Sequence, residues 1–236
     1  MRRAGRVVAD VLALMEQELR PGVTTAHLDG IAEDYIRKAG ARPSFKGYRG
    51  FPASICVSID DEVVHGIPGG RVIQEGQVVS VDAGAIWQGW HGDGARTFYV
   101  GTPPADVARL IETTRLALMA GIAAAVPGAH VEDVSGAVED VAVEGRCDIV
   151  RQYVGHGIGT RMHEDLQVPN YRTGRPGAAL EPGICIAIEP MLTLGSADTE
   201  TMSDGWTVVT RDHSLAAHFE HTIAVTDNGP VILTTA

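Results

Sequence analysis

The first forty residues carry two runs of apolar positions at helical spacing. Val7, Val8, Val11, Leu12, Met15 and Leu19 share one face of residues 2–20, and Pro21-Gly22 ends the run. Glu16 and Glu18 interrupt it, so it reads as an amphipathic core helix rather than a signal peptide. A second helix is predicted over 25–39, with Leu28, Ile31, Ala32, Tyr35 and Ile36 on one face and Gly40 as its stop. Apolar runs of strand length follow: "SICVSI" (54–59), "QVVSVDAGAIW" (77–87) and "ARTFYV" (95–100). A long helix should open after Pro103-Pro104 and run to about Val126, and another should span 131–144. Strands return at "CDIV", "GICIAIEPML", "WTVV" and "FEHTIAV". No stretch approaches the ~20 consecutive apolar residues of a membrane-spanning helix.

The pattern has an internal echo. "PGVTTAHLDGIAEDYI" (21–36) lies over "PGAHVEDVSGAVEDVA" (127–142) without a gap at an offset of 106, with Pro, Gly, Gly, Glu and Asp coinciding. Two amphipathic helices that follow Pro-Gly turns look alike for that reason alone. One residue further, however, "VVSVD" (78–82) lies over "CIAIE" (185–189), which sets Asp82 opposite Glu189 at the end of an apolar strand. The chain is therefore read as one domain, 1–236, of two related halves, about 1–105 and 106–236, sharing one site.

Composition narrows the chemistry. A 44% hydrophobic content supports a sizeable core, and a net charge of −11 argues against a binder that tracks nucleic-acid phosphates. It leaves room for a cationic substrate such as a free amine. Three widely spaced cysteines, Cys56, Cys147 and Cys185, form no disulfide or CxxC pattern, which suits a reducing cytoplasm.

The acids are the informative anomaly. Asp82 and Glu189 end strands that read as buried on both faces, and Glu220 leads another in "HFEHTIAV". Asp93 in "GWHGDGART" falls across an apparent hairpin from Asp82. Unpaired buried carboxylates cost several kcal/mol or are neutralised, and Arg96 is the one Lys or Arg near any of them in sequence. A single such acid reads as a salt bridge or strand cap; four call for metal. Four carboxylates and one neutral imidazole carry −4, which two divalent cations match. An oxygen-rich set with one nitrogen and no thiolate suits Mn, Fe(II), Co or catalytic Zn rather than a structural zinc. Carboxylates bridging two ions ~3.5–4 Å apart are the usual way to hold a hydroxide nucleophile. The imidazole candidates stand in "QYVGHGIGTRMHED" (152–165), where His156 has a glycine on each side and His163 follows seven residues on.

In this order "VVHGIP" (63–68), "VDAG" (81–84), "HGDGART" (91–97), "GHGIG" (155–159), "MHED" (162–165), "IEPM" (188–191) and "EHT" (220–222) resemble the methionine aminopeptidases of type I. A "GHGIG" alone is only a glycine-rich loop; seven fragments in register along nearly the whole chain are specific. The resemblance implies an α+β pita-bread fold, an antiparallel sheet covered by helices with a pseudo-two-fold repeat. It implies Asp82, Asp93, His156, Glu189 and Glu220 as metal ligands, Asp93 and Glu220 bridging, for two divalent ions (Co, Mn, Fe(II) or Zn). His65 and His163 would face substrate, and Phe45, Tyr48, Phe51, Cys56, Met162 and Trp206 would wall the methionine pocket. Only 26 residues separate His163 from Glu189, where type II enzymes carry a helical insertion. Met162 stands where the family often has Phe, and the family usually carries about a dozen residues before the first helix.

The implied activity is removal of an N-terminal methionine ahead of a small residue, with Glu189 as general base and proton shuttle and His65 and His163 on the scissile peptide. The implied substrates are nascent polypeptide N-termini, met in the cytoplasm by a monomer, with a transient ribosome contact compatible with that role and no membrane or specific nucleic-acid partner. The alternatives of the same fold are an X-Pro aminopeptidase and a non-catalytic binding protein. Among the remaining histidines, His27 and His130 stand at helix entries and read as solvated caps, His91 is close to Asp93 and suits either a supporting contact to that acid or packing, and His213, His218 and His221 read as structural.

Overall fold

The structure, a computed structural model, describes residues 1–235. In the first half, helices α1 (Arg2–Glu18) and α2 (Thr25–Lys38) lie over strands β1 (Arg42–Pro43), β2 (Ile55–Ile59), β3 (Glu62–Val64), β4 (Val78–Trp87) and β5 (Trp90–Tyr99). Strand β4 is the centre of an antiparallel sheet, paired with β1, β2 and β5. In the second half, α3 (Ala105–Ala124) and α4 (Val131–Glu144) precede β6 (Asp148–Ile149), β7 (Gly155–Gly157), β8 (Glu164–Val168), β9 (Cys185–Ile188) and β10 (Met191–Thr193). Strands β11 (Thr199–Thr201), β12 (Val208–Thr210), β13 (Ala216–His218), β14 (His221–Thr226) and β15 (Gly229–Ile232) complete it. Here β9 lies inside a five-stranded antiparallel sheet in the order β15-β14-β9-β7-β8. Smaller sheets join β13-β10-β6 and β11-β12-β3.

The helices follow the predicted spans to within two residues, because their apolar stripes are what the sheets cover. Val7, Val8, Val11, Leu12 and Met15 of α1 are buried against β4 and β5, in a core shared with Leu28 and Ile36 of α2. A second core joins Leu110 and Leu118 of α3, Val134 and Val138 of α4, and Ile186 and Ile188 of β9. Residue Thr24 caps α2, its hydroxyl accepting from the His27 N–H, so His27 itself caps nothing. At α4 the Asp133 carboxylate accepts from the His130 N–H.

The strands differ from expectation in four places. Strand β5 starts at Trp90, not at residue 95, and forms a hairpin with β4 through Gln88 and Gly89, both at positive φ (51° and 82°). That is the primed turn which matches strand twist. Glycines 92 and 94 mask the strand in sequence, and the packing needs them. A Cβ on Gly92 would come 2.7 Å from the Gly5 nitrogen of α1, and one on Gly94 would meet Val8 and the Glu220 carbonyl. "GICIAIEPML" is two strands in two sheets, β9 and β10, broken at Glu189-Pro190, and "HFEHTIAV" is likewise broken between β13 and β14 at Phe219-Glu220. Within "GHGIG", Gly155–Gly157 is strand rather than loop: β7 lies between β8 and β9.

The halves join along the free edge of β5. Ala95 and Glu220 exchange backbone hydrogen bonds, Glu220 N to Ala95 O at 2.9 Å and the return at 3.3 Å. On either side a threonine hydroxyl replaces a ladder rung. Thr222 Oγ1 accepts from the Asp93 N–H at 2.9 Å and donates to the Asp93 carbonyl at 2.8 Å. Thr97 Oγ1 accepts from the His218 N–H and donates to the His218 carbonyl, both at 2.8 Å. No helix of the described residues is long and apolar enough to cross a membrane.

Candidate metal centre

Each acid reaches the centre by a different local device. Residues Asp82 and Asp93 face the same side of the β4–β5 hairpin, since Asp82 pairs with Ala95 and Asp93 with Gly84, which makes the two acids diagonal neighbours. Glu189 and Glu220 stand at the two strand breaks, where the backbone leaves one sheet for another. His156 comes from the middle of β7, and its flanking glycines now have a reason. A Cβ on Gly155 would collide with the Ala187 carbonyl of β9, and one on Gly157 would sit 3.2 Å from the Cβ of Glu164 on β8.

Among the described residues, ligand atoms of Asp93, His156 and Glu220 all lie within 4.8 Å of one another. His156 Nε2 is 3.7 Å from Asp93 Oδ2 and 3.6 Å from Glu189 Oε1. Its Nδ1 lies 2.9 Å from the Gly157 carbonyl, an acceptor only, so Nδ1 carries the proton and Nε2 is left to the carboxylates. Arg96 does not compensate them. It turns outward to Glu16 of α1 at 3.1 Å.

The electrostatics are those of uncompensated anions. Burial, then the charges of Asp93 and Glu189, push the Asp82 carboxyl well up. Burial, then Asp93, Glu189 and Asp82, do the same to Glu220. Burial raises Glu189 to about 8, with Asp93 adding to the rise and His156 opposing it. For His156 burial is the largest influence and lowers the imidazole, but the Asp93 hydrogen bond and the Glu189 charge outweigh it and carry the group up to about 9. Asp82 Oδ1, Asp93 Oδ1 and Glu220 Oε1 are buried without a hydrogen-bond partner among the described residues. A divalent cation fits this donor set: it answers the orphaned oxygens and discharges the repulsion that otherwise lifts protons onto the cluster.

The five residues line a cavity of about 270 Å³. All the other residues singled out in the sequence line it too: His65, His163, Phe45, Tyr48, Phe51, Cys56, Met162 and Trp206. Phe45, Phe51, Cys56 and Met162 are buried together as a separate apolar cluster, with Tyr48 and Trp206 against it. Trp206 stands just before β12 rather than in it, edge-on to Phe51 at 5.1 Å between ring centroids. His65 is held at positive φ (62°), its ring edge-on to Tyr153 and Trp206. A Cβ on the next residue, Gly66, would strike the Val57 carbonyl, so β2 presses on this turn.

Arg49, Val64, Tyr153, Val154 and His218 also line the cavity and were not singled out from the sequence. His218, read there as structural, is buried and its Nε2 has no partner. Burial, then His65, lowers its imidazole to about 3. Its position two residues before Glu220 was the available signal. His91 packs instead against Ser44, Oγ to Nδ1 at 3.0 Å.

Residues 1–227 match metallopeptidase family M24. A methionine aminopeptidase of Clostridium acetobutylicum is 52% identical over 99% of this chain and 94% of its own length. The crystal structure of a methionine aminopeptidase from Thermotoga maritima superposes with a TM-score of 0.98 at 41% identity, covering 100% of this chain and 95% of that one. A prolidase from Pyrococcus furiosus is similar in fold, with a TM-score of 0.81 at 21% identity, over 100% of this chain and 62% of its own.

Proposed function

The chain belongs to metallopeptidase family M24, and on that footing we propose that it removes methionine from the N-termini of polypeptides whose second residue is small. It is a metalloaminopeptidase with the pita-bread fold that its methionine aminopeptidase relatives share with the prolidases. One observation carries the reading. Three orphaned carboxylate oxygens and the Nε2 of His156 line the same cavity as an apolar and aromatic cluster.

In the proposed mechanism Asp82, Asp93, His156, Glu189 and Glu220 would hold two divalent ions. Co, Mn, Fe(II) and Zn all suit the set. The bound metal supplies Lewis acidity and a nucleophile available at neutral pH. The Glu189 carboxylate takes the proton of the attacking water and passes it to the leaving amine. His163 donates to the scissile carbonyl oxygen, and His65 accepts from the peptide N–H. Phe45, Tyr48, Phe51, Cys56, Met162 and Trp206 receive the unbranched thioether, where sulfur–ring contacts add ~0.3–1.5 kcal/mol each. The acidic cluster attracts the free amine, which confines cleavage to chain ends. Residues 1–236 act as one unit of two related halves, about 1–105 and 106–236; the separate helix-covered cores on either side of the β5 seam support that division. The physiological substrates are nascent polypeptides met by a monomer in the cytoplasm, with transient contact to the ribosome.

The test compares Met-Ala-Ser, Met-Leu-Ser, Leu-Ala-Ser and Ala-Pro-Ser peptides with metal-loaded protein. Fast release is expected from the first only, since a misfit in an apolar pocket costs ~1–3 kcal/mol, or roughly 10–200-fold. Preferred cleavage of Ala-Pro-Ser would make it an X-Pro aminopeptidase, and equal rates on the first three would remove the methionine pocket.

A further inference from the structure

Tyr48 does more than wall the cavity. Its hydroxyl lies 2.9 Å from Nδ1 of His163, and the two rings stack with centroids 5.4 Å apart and planes 23° from parallel. With Nδ1 engaged, Nε2 is the remaining polar atom of an imidazole that lines the cavity, and it has no partner among the described residues. The ring also lies against that of His156, at 4.1 Å between centroids and 42° between planes. His163 thus contacts both a candidate metal ligand and a phenol.

The segment that presents Tyr48 is built for one position. Gly47, Arg49 and Gly50 all take positive φ (86°, 49° and 92°). The turn closes on itself through backbone hydrogen bonds from Tyr48 to the Phe45 carbonyl (2.8 Å), Phe51 to Tyr48 (2.9 Å) and Gly47 to Phe51 (2.8 Å). A non-glycine residue in the left-handed region is uncommon and persists where its surroundings over-determine it. Here the result is a phenol held at the cavity mouth, with the Arg49 guanidinium 5.4 Å from its ring centre.

We propose that Tyr48 is a positioning residue: its O–H donates to His163 Nδ1, which fixes the proton on Nε2 and aims that N–H into the cavity at the substrate carbonyl. This rests on the role of His163 proposed above and assigns the group that makes the role possible. A neutral imidazole has one donor and one acceptor nitrogen, and the hydrogen bond made by one decides the state of the other. An unclamped neutral ring would turn or change tautomer and offer a lone pair where a donor is needed. The hydroxyl removes that option at no cost in charge.

The test is Tyr48→Phe, which keeps the stacked ring and the pocket wall and deletes only the hydroxyl. Ring nitrogen-15 spectra of His163 in zinc-loaded protein read the tautomer directly, and Met-Ala-Ser turnover reads its consequence. The wild type should show a protonated Nε2 and an unprotonated, hydrogen-bonded Nδ1. The variant should show averaged nitrogen shifts, kcat lower by about tenfold as for loss of one hydrogen bond, KM within about twofold, and unchanged metal per chain. A wild-type Nδ1–H would overturn the proposal, as would unchanged spectra or an unchanged kcat in Tyr48→Phe. A variant that loses KM and kcat together would return Tyr48 to the pocket wall. Wild-type protein that releases no methionine would instead sink the proposed function, and the ring nitrogens would still decide the part of Tyr48.

Discussion

Thr222→Val tests the seam that brings the two halves into one site. Thr222 is fully buried, and its hydroxyl is at once the acceptor for the Asp93 N–H and a donor to the Asp93 carbonyl. Valine keeps the shape and leaves both backbone groups buried and unpaired. A buried polar group left without its partner costs ~1–3 kcal/mol, so the pair should cost about 2–6 kcal/mol. Thr222→Ser keeps the hydroxyl and loses a methyl, worth ~0.8 kcal/mol before any cavity cost. Equilibrium urea unfolding of metal-free protein separates the two, with a lower midpoint and an unchanged slope for valine. The valine variant should also bind less metal, measured by elemental analysis, because the same hydroxyl holds the Asp93 backbone. A valine variant within about 0.5 kcal/mol of wild type, or a serine variant as unstable as the valine one, would refute the idea that threonine hydroxyls stand in for ladder rungs here.

Chelation should abolish activity, and Co or Mn should restore it. Metal at a hundredfold excess over its Kd adds ~2.7 kcal/mol, or about 5–11 °C in Tm for a chain of this size, so equal melting with and without metal would deny the site. His156→Ala should lower metal content, whereas His163→Ala should leave it unchanged and cut kcat by roughly 10²-fold; equal metal loss in both would reverse the division of roles. Arg96→Ala should shift stability by less than ~1 kcal/mol, because its partner Glu16 is an exposed residue of α1. A large loss of metal in that variant would mean that Arg96 belongs to the site after all.

The helices were legible because their signal is local. An apolar stripe, a Pro-Gly turn and a stop glycine are written within one or two dozen residues, and burial against a sheet is what the stripe is for. The chemistry was legible for a related reason: an acid at the end of an apolar run conflicts with its own surroundings, and the conflict at Asp82, Glu189 and Glu220 is visible before any fold is known. What tertiary structure alone decided is how the conflict is arranged. The breaks at Glu189-Pro190 and Phe219-Glu220 carry no turn signal strong enough to divide an apolar run, and they exist because β9 and β10, and β13 and β14, pair with different strands. Glycines that read as loop in "HGDG" and "GHG" are strand residues against which a helix or a neighbouring strand presses. The contacts that finish the site join residues far apart in the chain: Asp93 with Thr222, Thr97 with His218, Tyr48 with His163. No periodicity encodes such pairs, because each partner obeys its own local pattern and only the packed halves bring the two within hydrogen-bonding distance.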